Sequence, residues 1–165
     1  MRTIKDLVGR VPTPEDYLQQ IRENPDNTTT LFQLLSLLKQ RGEHGRMIAC
    51  LGRICLKLTD NRKKLQWRVE LAKTYNLVGR YEDAIRIVHI ALRGSEYWCE
   101  YALVHQARML RVDALDLLGQ TEEAKNRFIS TCTYAKQHGL RLRPRLCRSI
   151  RESRDLPASY ATMSC

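Results

Sequence analysis

The histidines and cysteines are the residues of this chain whose side chains could bind a metal or act as nucleophiles. There are four of the first kind and six of the second: His44, His89, His105, His138, Cys50, Cys55, Cys99, Cys132, Cys147 and Cys165. No two cysteines have the C-x-x-C spacing of a zinc or redox motif, and no two histidines have the H-E-x-x-H spacing of a metalloprotease. We therefore predict no metal site, and we interpret the cysteines as reduced thiols that pack inside helices.

Phosphate-binding and hydrolase motifs are also missing from the sequence. It contains no Walker loop, no G-x-G-x-x-G and no G-x-S-x-G. The acidic pairs Glu82-Asp83 and Glu122-Glu123 stand at predicted helix starts, where the helix dipole favours negative charge without any catalytic role. The sequence predicts a protein that is not an enzyme and needs no cofactor.

The charge balance is strongly basic, because 28 Lys and Arg oppose 18 Asp and Glu and leave a net charge of +10. Such an excess favours an anionic partner, which would be nucleic acid, anionic lipid or an acidic protein. No apolar run is long enough for a secretory signal or a membrane span. Arg2, Lys5 and Arg10 suit a short mitochondrial presequence, but Asp6 and the short length oppose it. We predict a cytoplasmic protein.

Helical periodicity covers most of the chain, so the predicted fold is all-α. Leu31, Leu34 and Leu38 recur at the spacing of one buried helix face, and Thr13-Pro14 has the residues that begin a helix. We predict a single domain over residues 1–165. Its predicted segments are an N-terminal helix at 14–25, helix pairs at 28–59, 61–94 and 97–138, a basic helix at 144–154 and a tail at 156–165.

One short unit recurs between the helices of each predicted pair. Residues 77–85 read LVGRYEDAI, residues 117–125 read LLGQTEEAK, and residues 39–47 hold a degenerate copy, KQRGEHGRM. A glycine at a fixed offset before an acidic pair marks the turn of a helix–turn–helix repeat. We predict turns at Gly42, Gly79 and Gly119. The interval from Gly79 to Gly119 is slightly longer than the interval from Gly42 to Gly79. Gly45 is predicted to lie in the same break as Gly42, after the first helix of the first pair, so that the second helix of that pair begins near Arg46.

These residues make the chain resemble the tetratricopeptide repeat family. The second pair matches the family pattern at Leu71, Ala72, Tyr75, Gly79, Tyr81, Ala84, Val88 and Ala91. The third pair matches at Val112, Leu115, Gly119, Ala124 and Phe128, and the first at Leu31, Leu34, Leu38, Gly42, Leu51 and Ile54. The resemblance implies a right-handed α-solenoid of about three helix pairs with a flanking helix at each end. The alternative is an unrelated helical bundle with coincidental glycines.

Two arginines of the third pair depart from the family pattern. Arg108 and Arg111 occupy positions where the family has apolar residues. Either the register of the repeat shifts there, or an extra helix or a partner covers these side chains.

The resemblance also implies a concave partner groove, formed by the first helix of each pair. Its positions in this sequence are Phe32, Gln33, Ser36, Gln66, Val69, Glu70, Lys73, Gln106, Met109 and Asp113. Some relatives hold a peptide carboxylate with Lys, Asn and Arg, but the corresponding positions here are Phe32, Ser36, Gln66, Glu70 and Leu110. Such a clamp is therefore not expected, and the mixed apolar and amide groups suit an amphipathic helix or an extended segment. The alternative is a solvated helix face without a ligand.

A cluster of six arginines follows the third pair. They are Arg141, Arg143, Arg145, Arg148, Arg151 and Arg154. One interpretation is an anion-binding surface for phosphate or an acidic protein. The other is a helix that caps the third repeat with Leu146 and Ile150 and turns its charge to water. Aromatic residues for base stacking are missing from this segment, which weakens sequence-specific RNA recognition.

The predicted function is a non-enzymatic adaptor, assembly factor or chaperone that holds a segment of a protein partner in the groove. The alternative is a basic subunit of a nucleic-acid-containing assembly that contacts phosphates through the C-terminal arginines.

Overall fold

A computed structural model describes residues 12–24, 27–93, 95 and 99–140. These residues form seven α-helices and no strand, which confirms the prediction of an all-α fold. The helices are α1 (Pro14–Glu23), α2 (Thr28–Gln40), α3 (His44–Lys57), α4 (Asn61–Leu77), α5 (Tyr81–Leu92), α6 (Tyr101–Leu117) and α7 (Thr121–Gln137). The predicted helix at 144–154, the tail at 156–165 and the proposed helix start at Tyr97 lie outside the described residues.

The chain forms two units, Met1–Cys50 and Leu51–Cys165, and the division falls within α3. In the first unit α1 packs against α2. A capping box begins α1, because the Asp16 carboxylate accepts the backbone N–H of Thr13 at 2.8 Å while Thr13 Oγ1 accepts the N–H of Asp16. The predicted apolar face of α2 is buried, and its residues are Leu31, Leu34, Leu35 and Leu38.

The helix α3 begins earlier than predicted, at His44, and Gly45 lies inside it. The prediction that Gly45 breaks the first pair is therefore wrong. Gly42 alone supplies the left-handed residue that the turn requires, with φ of +68°. An exposed glycine in the first helical turn weakens a helix but does not interrupt its hydrogen bonds.

The turns at Gly79 and Gly119 have the same hydrogen bonds. Arg80 N–H donates to the carbonyl of Tyr75, and Gln120 N–H donates to the carbonyl of Leu115, each at 2.9 Å. Both glycines have positive φ, +75° and +76°, as the C-terminal end of a helix in a Schellman motif requires. The predicted turns of the second and third pairs are confirmed, and α4 and α6 begin and end at equivalent positions relative to these glycines.

The core of the second unit connects three of its helices. α4 packs against α5 and α6, α5 against α6, and α6 against α7. The buried core cluster consists of Leu65, Val69, Ala72, Val88, Ala91, Val104 and Ala107. Its alternation of Leu and Val with Ala lets neighbouring helices approach closely, and each fully buried aliphatic side chain contributes roughly 1.5–3 kcal/mol.

Candidate functional site

The helices α4 and α6 lie side by side and run parallel in the second unit. Near their N-terminal ends Arg62 Nε lies 2.5 Å from Glu100 Oε1. Near the C-terminal end of α4, Asn76 Nδ2 donates at 3.0 Å to the backbone carbonyl of Leu110, which lies just past the middle of α6. Because Arg62 and Asn76 are both on the α4 face that meets α6, residues spaced by helical turns between them share that face.

Two predicted groove residues, Gln66 and Lys73, lie on this α4 face and are partly exposed. Lys73 Nζ is 2.6 Å from Glu70 Oε1, so these two charges neutralise each other within α4. Val69 is different, because it is only 1% exposed and belongs to the buried core. The prediction that Val69 lines the groove is corrected: its position on the stripe with Leu65 and Ala72 turns its side chain into the packing of α4 against α5 and α6.

The predicted groove residues of the third pair flank Leu110 on α6. Gln106 is exposed, and Met109 and Asp113 are partly exposed. Leu110 itself packs against the core cluster. Gln106 and Asp113 therefore lie about one turn on either side of Leu110, the α6 residue whose backbone carbonyl accepts the hydrogen bond from Asn76 of α4, and Met109 directly precedes it.

The remaining groove positions belong to the first unit. Phe32, Gln33 and Ser36 are exposed on α2, and the Phe32 side chain is 45% exposed. An exposed phenylalanine among leucines that are buried marks the solvent side of this helix.

The two unexpected arginines of the third pair contact α7. The Arg108 guanidinium lies 4.3 Å from the ring centroid of Tyr134, and Arg111 Nη2 lies 3.2 Å from Glu123 Oε1. These contacts are made with the second helix of the same pair, so the structure places neither an extra helix nor a partner on the two side chains within the described residues. A cation–π contact and an ion pair replace the apolar contacts that the repeat pattern predicts at these positions.

An aromatic cluster, which we define as Tyr101, Tyr134 and His138, joins α6 to the end of α7. The rings of Tyr101 and His138 stack with centroids 4.0 Å apart, and Tyr134 meets His138 at 4.4 Å in a tilted arrangement. This cluster was not predicted from the sequence. A signal was present, since Tyr101 and His138 stand at nearly equal distances on either side of the predicted turn at Gly119.

His105 lies one turn from Arg108 and is half-buried. Its Nε2 atom is buried and has no hydrogen-bond partner. Burial, followed by the positive charge of Arg108, lowers the pKa of His105 from the usual value of 6.5. The neutral imidazole is therefore the form that the fold favours.

The cysteines in the described part of the chain are thiols and form no disulfide with one another. Burial raises the pKa of the Cys55 thiol to about 11, and this effect exceeds the opposing influence of Arg68. Among the residues described, no group of three or more His, Cys, Asp or Glu side chains is arranged to hold a metal ion. Within the same residues, every helix is too short or too polar to cross a membrane.

No protein-family model, curated protein or solved structure matches the chain. The tetratricopeptide resemblance thus remains a prediction from the residues that carry it. The six C-terminal arginines lie outside the described residues, and the alternative function that rests on them also remains a prediction.

Proposed function

We propose that the protein is a non-enzymatic adaptor, assembly factor or chaperone that binds a segment of a protein partner. The observation that carries the proposal is the parallel pairing of α4 and α6 through Arg62–Glu100 and Asn76–Leu110. Parallel neighbours of this kind present their side chains as one continuous surface, as the first helices of stacked repeats do.

The order of helix contacts supports a solenoid of tetratricopeptide-like pairs. Each second-unit helix packs against the next one along the chain, and α4 also packs against α6. The same hydrogen-bonded turn ends α4 and α6. A stacked array of repeats requires the same local structure to recur along the chain. A bundle of unrelated helices does not require such recurrence.

The chemistry of the α4–α6 surface supports a protein segment as the ligand. Met109 offers a flexible, polarisable contact, Gln66 and Gln106 offer amide donors and acceptors, and Glu70 already neutralises Lys73. A surface with apolar and amide groups and little net charge fits an amphipathic helix or an extended segment. The cytoplasm remains the proposed compartment for this function.

A comparative pull-down tests the proposal. The full chain is immobilised beside a Gln66→Arg/Met109→Arg variant, and the captured proteins are quantified by mass spectrometry. Two large cations on the α4–α6 surface should reduce capture of the specific partner at least about tenfold, because they leave unpaired charge in a desolvated contact. The matched control, Asn126→Arg/Ser130→Arg, adds the same charge to the exposed face of α7 and should capture the partner normally.

Equal capture by the two variants would move the binding surface away from α4 and α6. Circular dichroism spectra of both variants establish that the helices are retained, so that a loss of capture is assigned to the surface and not to unfolding.

A further inference from the structure

Charged residues in the second unit are distributed unequally between the two ends of its helices. Because α4 to α7 alternate in direction, the turns at Gly79 and Gly119 lie at one end, which we call the turn end. The N-terminal ends of α4 and α6 and the C-terminal ends of α5 and α7 lie at the other, which we call the open end.

Three carboxylates at the turn end are paired with basic side chains. Asp83 pairs with Arg80 and Arg86. Glu122 pairs with Lys125 at 3.0 Å, and Glu123 is shared by Arg111 and Arg127. Within each of these pairs the opposite charges offset one another.

The open end carries cations that lack such partners. Lys64, Arg68, Arg93 and Arg108 form no ion pair with any carboxylate of the described residues. Two carboxylates at this end are already engaged, since Asp60 caps α4 by accepting the N–H groups of Arg62 and Lys63, and Glu100 pairs with Arg62. Positive potential consequently accumulates at this end.

Arg68 and Arg108 are repeat-equivalent, since the interval between them equals that between Gly79 and Gly119, and each reaches across its helix pair. Arg68 Nη1 lies 3.5 Å from the carbonyl of Ile90 on α5, and Arg108 lies over Tyr134 on α7. The Nε atom of Arg108 is buried and has no hydrogen-bond partner. A half-buried guanidinium without a counter-ion is costly for the fold, so an anion that supplies the missing charge would be bound favourably.

The aromatic cluster lies beside Arg108. Arg108 rests on Tyr134, Tyr134 contacts His138, and the exposed His138 ring stacks on Tyr101. An exposed aromatic residue near an arginine that has no carboxylate partner is a combination that proteins use for unpaired nucleobases, since the rings stack with bases while the cations contact phosphates.

We propose that the open end of the second unit binds single-stranded nucleic acid, with Lys64, Arg68, Arg93 and Arg108 contacting phosphates and His138 stacking on a base. The cations lie on α4, on α6 and directly after the end of α5, a spread that suits a chain of phosphates. The exposed ring favours nucleic acid over an acidic protein segment, which has no base to stack. This surface is separate from the α4–α6 groove residues, so it goes beyond the proposed function.

Fluorescence anisotropy with a labelled oligo(U) tests the proposal on the full chain. Arg68→Gln/Arg108→Gln and Lys64→Gln/Arg93→Gln should each weaken binding about tenfold or more. Each should also make the dependence of log K on log salt shallower by about 1.4, since a single-stranded phosphate contact contributes about 0.7 to that slope. The second variant changes a partly exposed and an exposed side chain, so it keeps the test valid if loss of Arg68 or Arg108 disturbs the fold.

His138→Ala separates stacking from charge. Loss of one base stack should weaken oligo(U) binding about tenfold while leaving the salt slope unchanged. The matched control, Arg80→Gln/Arg86→Gln, removes the same charge from the turn end and should bind oligo(U) like the parent protein.

Three results would overturn the proposal. They are an absence of oligo(U) binding, an equal loss of affinity in the turn-end control, and competition by poly-glutamate as effective as that by unlabelled oligo(U). The last result would identify the open end as a site for an acidic protein segment.

Discussion

At the residue scale, aligning the second and third helix pairs on Gly79 and Gly119 shows where a polar residue of the third pair stands at the position of an apolar residue of the second. His105 occupies in the third pair the position that Leu65 occupies in the second. Leu65 is fully buried in the core cluster, whereas His105 has a buried Nε2 without a hydrogen-bond partner. An unsatisfied polar atom of this kind costs about 1–3 kcal/mol, so the third pair is less well packed at this position than the second.

We expect His105 to make stability depend on pH. Its pKa in the fold lies below the usual 6.5, mainly because of burial. The unfolded chain therefore binds a proton first as pH falls. The free energy of unfolding that depends on a neutral His105 is present in full above pH 6.5. It is lost as pH falls through the lower pKa of His105 in the folded state.

The substitution His105→Leu should raise the free energy of unfolding at pH 7 by about 1 kcal/mol and remove this part of the pH dependence. Urea unfolding between pH 7 and about pH 5 measures both effects. His105→Gln serves as the control, since it removes the titration while keeping a polar side chain. A His105→Leu protein that retains the slope of the parent would assign the pH dependence to other groups.

At the element scale, the glycine turns fix where the helices end. Gly79 and Gly52 both have open space where a Cβ would be placed, but only Gly79 has a positive φ, +75°. The two positions therefore separate the cost of backbone conformation from the cost of crowding.

The substitution Gly79→Ala should lower the free energy of unfolding by roughly 1–2 kcal/mol, because an L-residue is strained in the left-handed region. Gly52→Ala, inside α3, should raise it by roughly 0.5–1 kcal/mol, because alanine loses less backbone freedom on folding. Chemical denaturation of the two variants and the parent measures both changes. Destabilisation of similar size in both would mean that crowding and not φ determines the cost.

Helix positions were largely predictable from sequence because they depend on local chemistry. The periodic leucines of α2 and the turn signals at Gly42, Gly79 and Gly119 act within a few residues, and the structure reproduces them. The sequence predicted that both Gly42 and Gly45 interrupt the helices, because residue type alone does not distinguish two nearby glycines. In the structure only Gly42 of the two has the left-handed backbone conformation. Which glycine adopts that conformation depends on the hydrogen bond from Glu43 to Leu38.

At the scale of the whole molecule, the candidate surfaces depend on contacts between distant residues, and here sequence reasoning was incomplete. The family resemblance implied that Val69 lines the groove, but packing against α5 and α6 buries it. The contact of Arg108 with Tyr134 and the stack of Tyr101 on His138 require α6 and α7 to be antiparallel neighbours. No local pattern specifies such pairs, although the predicted turn at Gly119 makes them possible.

The separation of charge between the two ends leads to a prediction on stability. Uncompensated cations at the open end repel one another, and their repulsion is screened when ionic strength rises from about 0.01 M to about 0.15 M and the Debye length falls from about 30 to about 8 Å. Lys64→Gln/Arg93→Gln should therefore raise the free energy of unfolding at low salt by roughly a few tenths of a kcal/mol. The variant should also make the free energy of unfolding depend less on salt.

The variant Arg80→Gln/Arg86→Gln removes the same two charges but should have the opposite effect. It leaves the Asp83 carboxylate without its two arginine partners, so the free energy of unfolding should fall by roughly 0.5–1 kcal/mol at low salt. Urea unfolding of both variants at the two ionic strengths is the measurement. The two variants have the same net charge, so any effect of total charge is the same in both. Changes of opposite sign in their free energies of unfolding would therefore show that the placement of charge governs stability. Changes of the same sign would make the net charge of +10 the controlling quantity and remove the distinction between the two ends.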